Sequence, residues 1–269
     1  MVYIIIGLIL AVIGVFLMRG SIKSADKSLV ISITDETNTK NLIENYESLT
    51  NSHGEGNFNL YAKLYGKAYA NEPIISEYSK KECVYYHIEV DREYEQLETK
   101  TDSNGKTTQK WVRKNEVVLD KEHSASDFSI KNSNSSVRVN YSDADIDIPE
   151  SFSTFEKEAN QNGNGFSFAG ITFSNTSTIR TIGFRHVERA ITVGQQLFVV
   201  GNANDSGGEL IISRPKEKNK PFIISTKTEN EITSDLSSSS KSKKGWGYGL
   251  LVVGFALLVF GILKKLEIV

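Results

Sequence analysis

Apolar and polar positions divide the chain into three regimes. Residues 2–18, VYIIIGLILAVIGVFLM, and residues 245–263, GWGYGLLVVGFALLVFGIL, are apolar without a charge. Each approaches the roughly 20 residues a helix needs to cross a hydrocarbon core, where every backbone group has to be satisfied within the segment. Between them the pattern shortens to the period of strands. It predicts transmembrane helices over 2–18 and 245–263, a membrane-proximal stalk with an amphipathic helix over 20–57, and a β-rich domain over 58–232. The Ser- and Lys-rich 233–244 is expected to be a flexible basic tether.

Within the middle region, SLVISITD alternates and reads as a first strand or part of the stalk. Ile43, Tyr46 and Leu49 recur at helical spacing behind Asp35 as a candidate cap, and SHGEGN stops that helix. From Phe58 the period becomes two. FNLYAKLYGKAYA and CVYYHIEVDREYEQLE read as strands, the latter with Val84, Tyr86, Ile88 and Val90 on one face and Cys83, Tyr85, His87 and Glu89 on the other. The Asn-Gly of DSNGKTT signals a hairpin into QKWVRKNEVVLD. Shorter strands follow at DFSI, VRVNY, ADIDI, GFSFAGITF, QQLFVVGNA, ELIIS and KPFIIST, with Asn- and Ser-rich loops at 131–136, 160–165 and 202–208. A helix near ERAITVG or STFEKEAN would decorate them. The fold class expected is mainly β, a sandwich or partly open barrel with one or two helices between two transmembrane helices, without a second independent domain.

The termini refine this picture. A cleaved signal peptide would carry a basic leader and a small-residue cleavage site; Met1 alone precedes the apolar run and RGSIKS follows it, so an uncleaved anchor is expected. Trp246 and Tyr248 open the second span, and Lys264 and Lys265 close it, as interface anchors do. Arg19, Lys23, Lys27, Lys241, Lys243 and Lys244 flank the long loop, which favours a cytoplasmic domain, with little force because long loops translocate largely regardless of charge. The spans hold no ionisable residue between their flanks, which argues against a transporter or channel. Gly7, Ala11 and Gly14, and Gly254 and Gly261, form small-residue stripes suited to helix contact within the hairpin or between copies in a homo-oligomer.

Chemistry is sparse. Cys83 is the single cysteine, so no disulfide forms within the chain. On a strand Cys83 and His87 lie about 13 Å apart, too far to share a metal. The thiol reads as a small buried hydrophobe. His53, His87, His123 and His186 follow no ligand spacing. Ser167 in GFSFAG lacks the last glycine of a nucleophile elbow, and Phe166 and Phe168 alternate about it as in a strand. Asp143, Asp145 and Asp147 share a strand face without the glycine and glutamate of a calcium loop, and read as solvated. The net charge of −2 with scattered basic residues excludes a nucleic-acid footprint. No cofactor or metal is expected.

Two blocks of sequence resemble the GIDE domain, also called BAM for beside a membrane. The first is GKAYANEPIISEYSKKECVYYHIEV, with Glu72, Pro73, Ser76, Cys83, Tyr85 and Tyr86 at the family's positions. The second is ERAITVGQQLFVVGNA, with Glu188, Gly194, Leu197, Val199 and Gly201 in place and Ile191 where leucine is usual. KNKPFIISTKTENEI is similar to the family's final strand and acidic turn. The resemblance implies a domain set between two membrane helices and, in its ubiquitin-ligase members, a zinc-binding RING finger after the second. Only KKLEIV follows Leu263 here, so ubiquitin transfer by this chain alone is not expected. The expected role is a non-catalytic membrane-surface binding or adaptor module, in the context of membrane stress or envelope homeostasis. Its partners would be membrane lipid, contacted through Lys241, Lys243 and Lys244, and another membrane or membrane-associated protein. The alternatives are a component of an E3-ligase-like system and a divergent hydrolase.

Overall fold

The computed structural model describes residues 2–102, 105–157, 166–168, 171–173 and 176–266. The first element, α1 (Val2–Ile33), continues well past the apolar run. It takes in SLVISI, expected as a strand or stalk. Burial of Ser21, Ser24 and Ile31 along one side makes that segment helical, and such packing outweighs the β preference of Val and Ile. After β1 (Glu36–Thr37) comes α2 (Thr39–His53). Its N-cap is Asn38, which accepts from Asn41 N, rather than Asp35. Gly54 ends it at φ 81°.

The β elements are β2 (Asn59–Tyr69), β3 (Ile74–Ile75), β4 (Glu82–Thr101), β5 (Thr107–Ser124), β6 (Ser129–Asn132), β7 (Ser135–Val139), β8 (Asp145–Asp147), β9 (Glu150–Lys157), β10 (Phe166–Phe168), β11 (Ile171–Phe173), β12 (Ile179–Thr192), β13 (Gln196–Asn204), β14 (Ile211–Ser213) and β15 (Ile223–Ser225). The last element is α3 (Glu229–Lys265). Two expectations fail here. STFEKEAN and ERAITVG are not helices: the described part of the first lies in β9, and most of the second in β12, which pairs with β4 on one side and β9 on the other. Residues 233–244, expected as a flexible tether, are helical within α3 because Ser237 and Ser240 face Ser28 and Ser21 across the helix pair. The expected loop at 160–165 lies outside the described residues.

One sheet follows the order β1-β2-β6-β7-β14-β13-β15-β8, and β2 also pairs β13, which closes β2-β6-β7-β14-β13 into a small barrel. A second sheet, β3-β4-β12-β9 with β5 also on β4, is a curved half-barrel. The chain separates into two compact units, one of residues 1–66, 132–147 and 197–269 and one of 67–131 and 148–196. It passes back and forth between them within strands and short turns, so no linker in the sequence marks the boundary.

In the first unit, Ile31, Phe198, Val200, Ile223 and Ile232 form the core, joining α1 and α3 to the sheet. Lys63 pairs with Glu229 at 2.7 Å, and Tyr65 OH receives Glu229 N at 3.1 Å, at the first turn of α3. Thr228 and Glu231 complete a capping box there. The glycine stripes are used within the hairpin: a Cβ on Gly7 would sit 2.7 Å from Gly254 O, and one on Gly14 2.9 Å from Gly247 O. Both helices are long and apolar enough to cross a membrane.

In the second unit, Cys83, Tyr86, Ile88, Val90, Phe184 and Ala190 make the core. The expected alternation on β4 slips at its start. Ile191 pairs Tyr85 but Thr192 pairs Cys83, so an irregularity lies at Val84 and lets Cys83 join Tyr86 and Ile88 in one core cluster.

Candidate functional site

Glu188 organises the resemblance residues of the second unit. It lies on β12 opposite Ile88 of β4 and Phe152 of β9, and it is fully buried. Its carboxylate accepts from Tyr78 N (2.6 Å), Ser79 N (3.1 Å), Ser79 Oγ (2.5 Å) and Ser151 Oγ (3.2 Å). Burial alone would push this carboxyl up; the hydrogen bonds from Ser79, Tyr78 and Ser151 outweigh it and hold it below the usual carboxylate range.

Tyr78 and Ser79 belong to one tight turn, and Ser151 to β9. Ser76 N donates to Lys81 O at 3.0 Å, Lys81 N donates to Ser76 Oγ at 3.1 Å, and Ser76 Oγ lies 2.8 Å from Ser79 Oγ. Lys80 adopts a left-handed φ of 55° to close it. Tyr78 stacks on Phe152 at 5.4 Å and brings its hydroxyl to 3.1 Å from His186 Nδ1. Pro73 is exposed just before β3. The turn is a fitted cap on a buried charge.

Cys83 has no exposure, and its thiol lies 3.5 Å from Ile74 O. Burial, reinforced by the charge of Glu188, pushes the thiol up to about 11. Such a group is overwhelmingly protonated at neutral pH and is a poor nucleophile. His87 contacts Asp120 at 2.6 Å, and Tyr86 stacks on His123 at 4.8 Å. Tyr85 is buried. Among the described residues no three His, Cys, Asp or Glu side chains gather as a metal site.

The rest of the second block sets backbone paths. Gly194 takes φ 82° in the turn between β12 and β13 and donates to Ala68 O at 2.8 Å, a conformation suited to glycine. Leu197 is buried, and a Cβ on Gly201 would sit 2.8 Å from the Phe222 ring. Of the three aspartates, Asp145 pairs Lys27 at 2.7 Å and Asp147 pairs Lys227 at 3.0 Å. Lys241 and Lys244 are exposed on α3, whereas Lys243 is half-buried and donates to Ser24 Oγ at 3.3 Å. Sequence reasoning missed Tyr78, Ser79 and Ser151, whose one legible signal is the density of hydroxyl residues around the buried strands.

The chain is β-rich, is bracketed by two helices long and apolar enough to cross a membrane, and clamps a turn with a buried carboxylate. The profile of the GIDE family, described as E3 ubiquitin ligase, matches residues 95–260, and the chain belongs to that family. The match contains the Glu188–Gly201 block and begins after the Pro73–Tyr86 block. The chain is also similar to the E3 ubiquitin-protein ligase SPL1 of Arabidopsis thaliana, 33% identical over 93 residues, which cover 33% of this chain and 27% of that protein. The matched stretch thus spans about a quarter of that relative's length. No solved structure matches the chain.

Proposed function

We propose that this GIDE-family chain is a two-pass membrane protein whose β-rich part serves as a non-catalytic binding or adaptor module at the bilayer surface. The observation that carries the reading is the direct seating of both helices on the sheet. Ile31 of α1 and Ile232 of α3 share a core with Phe198 and Val200. Anchoring both ends confines the module to the membrane and raises its effective concentration toward neighbouring proteins. The buried, protonated Cys83 and the saturated Glu188 favour architecture over chemistry at the resemblance residues. The exposure of Lys241 and Lys244 on α3 supports contact with anionic headgroups, each contributing about 1 kcal/mol near a charged surface.

The family description and the similarity to a ubiquitin ligase favour one second reading, a component of a ubiquitin-ligase system. One experiment separates the two. The tagged full-length protein is crosslinked in its native membrane and the attached proteins are identified by mass spectrometry, while the purified protein is incubated with ubiquitin, activating enzyme and conjugating enzymes. Recurrent recovery of one membrane-associated protein without ubiquitin chains supports the adaptor. Chain formation on the protein or on its crosslinked partner overturns it.

A further inference from the structure

Phe198, Val200, Asn202 and Asn204 alternate onto one face of β13. The first two pack into the core with Ile31 and Ile232. The next two, 7% and 8% exposed, line a cavity of about 450 Å³ together with Asn59, Ser213, Arg214 and Lys216. This is the size range of small-ligand sites. Asn204 is fully engaged: its Nδ2 donates to Asn202 O (3.2 Å) and Ser213 Oγ (2.8 Å), and its Oδ1 accepts from Ser206 N (3.3 Å) and Ser206 Oγ (2.8 Å). The Asn202 side-chain amide, by contrast, has no hydrogen-bond partner among the described residues. Its polar atoms reach the solvent of the cavity, where they are open to a polar ligand.

The walls select a charge. Asp205 is 2% exposed, but its carboxylate is spent on Gly56 N (2.7 Å) and Phe58 N (3.0 Å), which fixes the 56–59 wall. Among the described residues no carboxylate lines the cavity, and the ionic groups there are Arg214 and Lys216. Arg214 uses Nη1 on Asp143 O at 3.0 Å, leaving the rest of its fork for an anion. Two cations beside amides and a serine hydroxyl fit an anion that also carries hydroxyl groups. We propose that this cavity binds a phosphorylated polyol, with Arg214 and Lys216 on the phosphate and Asn202 and Ser213 on the hydroxyls.

The position of the cavity bears on the ligand's source. Tyr65 meets the first turn of α3, whereas Tyr61 donates to Pro221 O at 2.8 Å, so passing along β2 toward Asn59 leads away from the helix start. Lys27, one turn nearer the apolar run than Ile31, reaches Asp145, whose N–H donates to Phe222 O. The cavity therefore lies beyond the β2 positions that meet the first turn of α3, and a phosphorylated lipid headgroup and a free sugar phosphate offer it the same chemistry.

The test uses the full-length protein in phosphatidylcholine nanodiscs containing either phosphatidylinositol 4-phosphate or phosphatidylserine at matched charge, with retained lipid counted by native mass spectrometry. Free inositol 1-phosphate is titrated in parallel. Selective retention of the phosphoinositide, lowered by about tenfold or more in R214Q/K216Q and in N202A but unchanged in K110Q/K121Q, supports the proposal with a lipid source. Binding of free inositol 1-phosphate with the same variant pattern and no lipid selectivity supports it with a soluble source. Equal retention of both lipids without free binding, or binding indifferent to R214Q/K216Q, overturns it. The surface location of Arg214 and Lys216 keeps that double variant decisive if N202A unfolds. None of these outcomes depends on whether the protein acts as an adaptor.

Discussion

The carboxylate of Glu188 meets the backbone N–H of Tyr78 at 2.6 Å, across 110 positions of sequence. Removing the carboxylate strands the Tyr78 and Ser79 N–H groups beneath the turn. Glu188→Ala is expected to destabilise the protein by about 3 kcal/mol, because hydrogen bonds to a charged group are worth more than neutral ones and the orphaned donors add their own cost. Thermal unfolding of the detergent-solubilised protein measures it.

The same carboxylate gives acid sensitivity a sign. Its folded pKa lies below the ordinary value of about 4.3, so its contribution is complete above that pH and is lost as the pH falls through the folded value. Glu188→Gln should flatten the acid limb of a stability-against-pH profile while leaving its neutral-to-alkaline course parallel to the parent. Superimposable acid limbs in the two proteins would contradict the assignment.

Cys83 should resist alkylation in the folded protein at neutral pH, because its thiol is buried and raised to about 11. Maleimide labelling is expected to become rapid only in denaturant, and Cys83→Ala to cost about 1 kcal/mol with partner binding intact. Prompt labelling of the native protein would restore Cys83 as a candidate nucleophile.

Helix pairing rests on close glycine contacts. Gly7→Leu or Gly254→Leu would drive side chains into the opposing backbone, whereas Gly249, with nothing near its Cβ position, should accept leucine. In a Cys83→Ala background, oxidative crosslinking of cysteines at Tyr3 and Phe260, whose rings meet at 5.3 Å across the helix pair, should form readily in the parent. It should fall several-fold with Gly7→Leu and persist with Gly249→Leu, the expected penalty being about 1–3 kcal/mol.

The Lys63–Glu229 pair fastens the start of α3 to β2, with side chains 9% and 21% exposed. Lys63→Met alone should cost about 2–3 kcal/mol by leaving a largely buried carboxylate unpaired, and adding Glu229→Leu should recover most of it. A double-mutant cycle followed by thermal unfolding tests the coupling.

Much of the fold was legible in local pattern. The two apolar runs, the Asn-Gly hairpin and the β2 and β4 strands follow from periodicities that tertiary context did not overturn. SLVISITD misled because Ser and Thr between aliphatic residues suit a strand, and its true partner, the Ser-rich start of α3, lies more than 200 residues away. ERAITVG misled because a strand buried between two others loses the polar–apolar alternation that would distinguish it from a helix. Of the site, Glu188, Cys83 and Ser76 were named from resemblance. Tyr78, Ser79 and Ser151 escaped because their role exists only once β12 lies beside the turn. The Asn202 cavity escaped for a similar reason: Asn202 and Asn204 resemble loop residues until β13 is seen to carry them inside.

Because α3 runs unbroken for 37 residues, about 55 Å at 1.5 Å per residue, it behaves as a lever rather than a leash. A disordered tether would absorb any tilt of the apolar half. A continuous helix keyed to α1 through Ser21–Ser240 and to the sheet through Ile232 and Glu229 hands that tilt on undiminished. Whatever inclines one end of the hairpin therefore rotates the β13 face, and the mouth beside Asn202 with it.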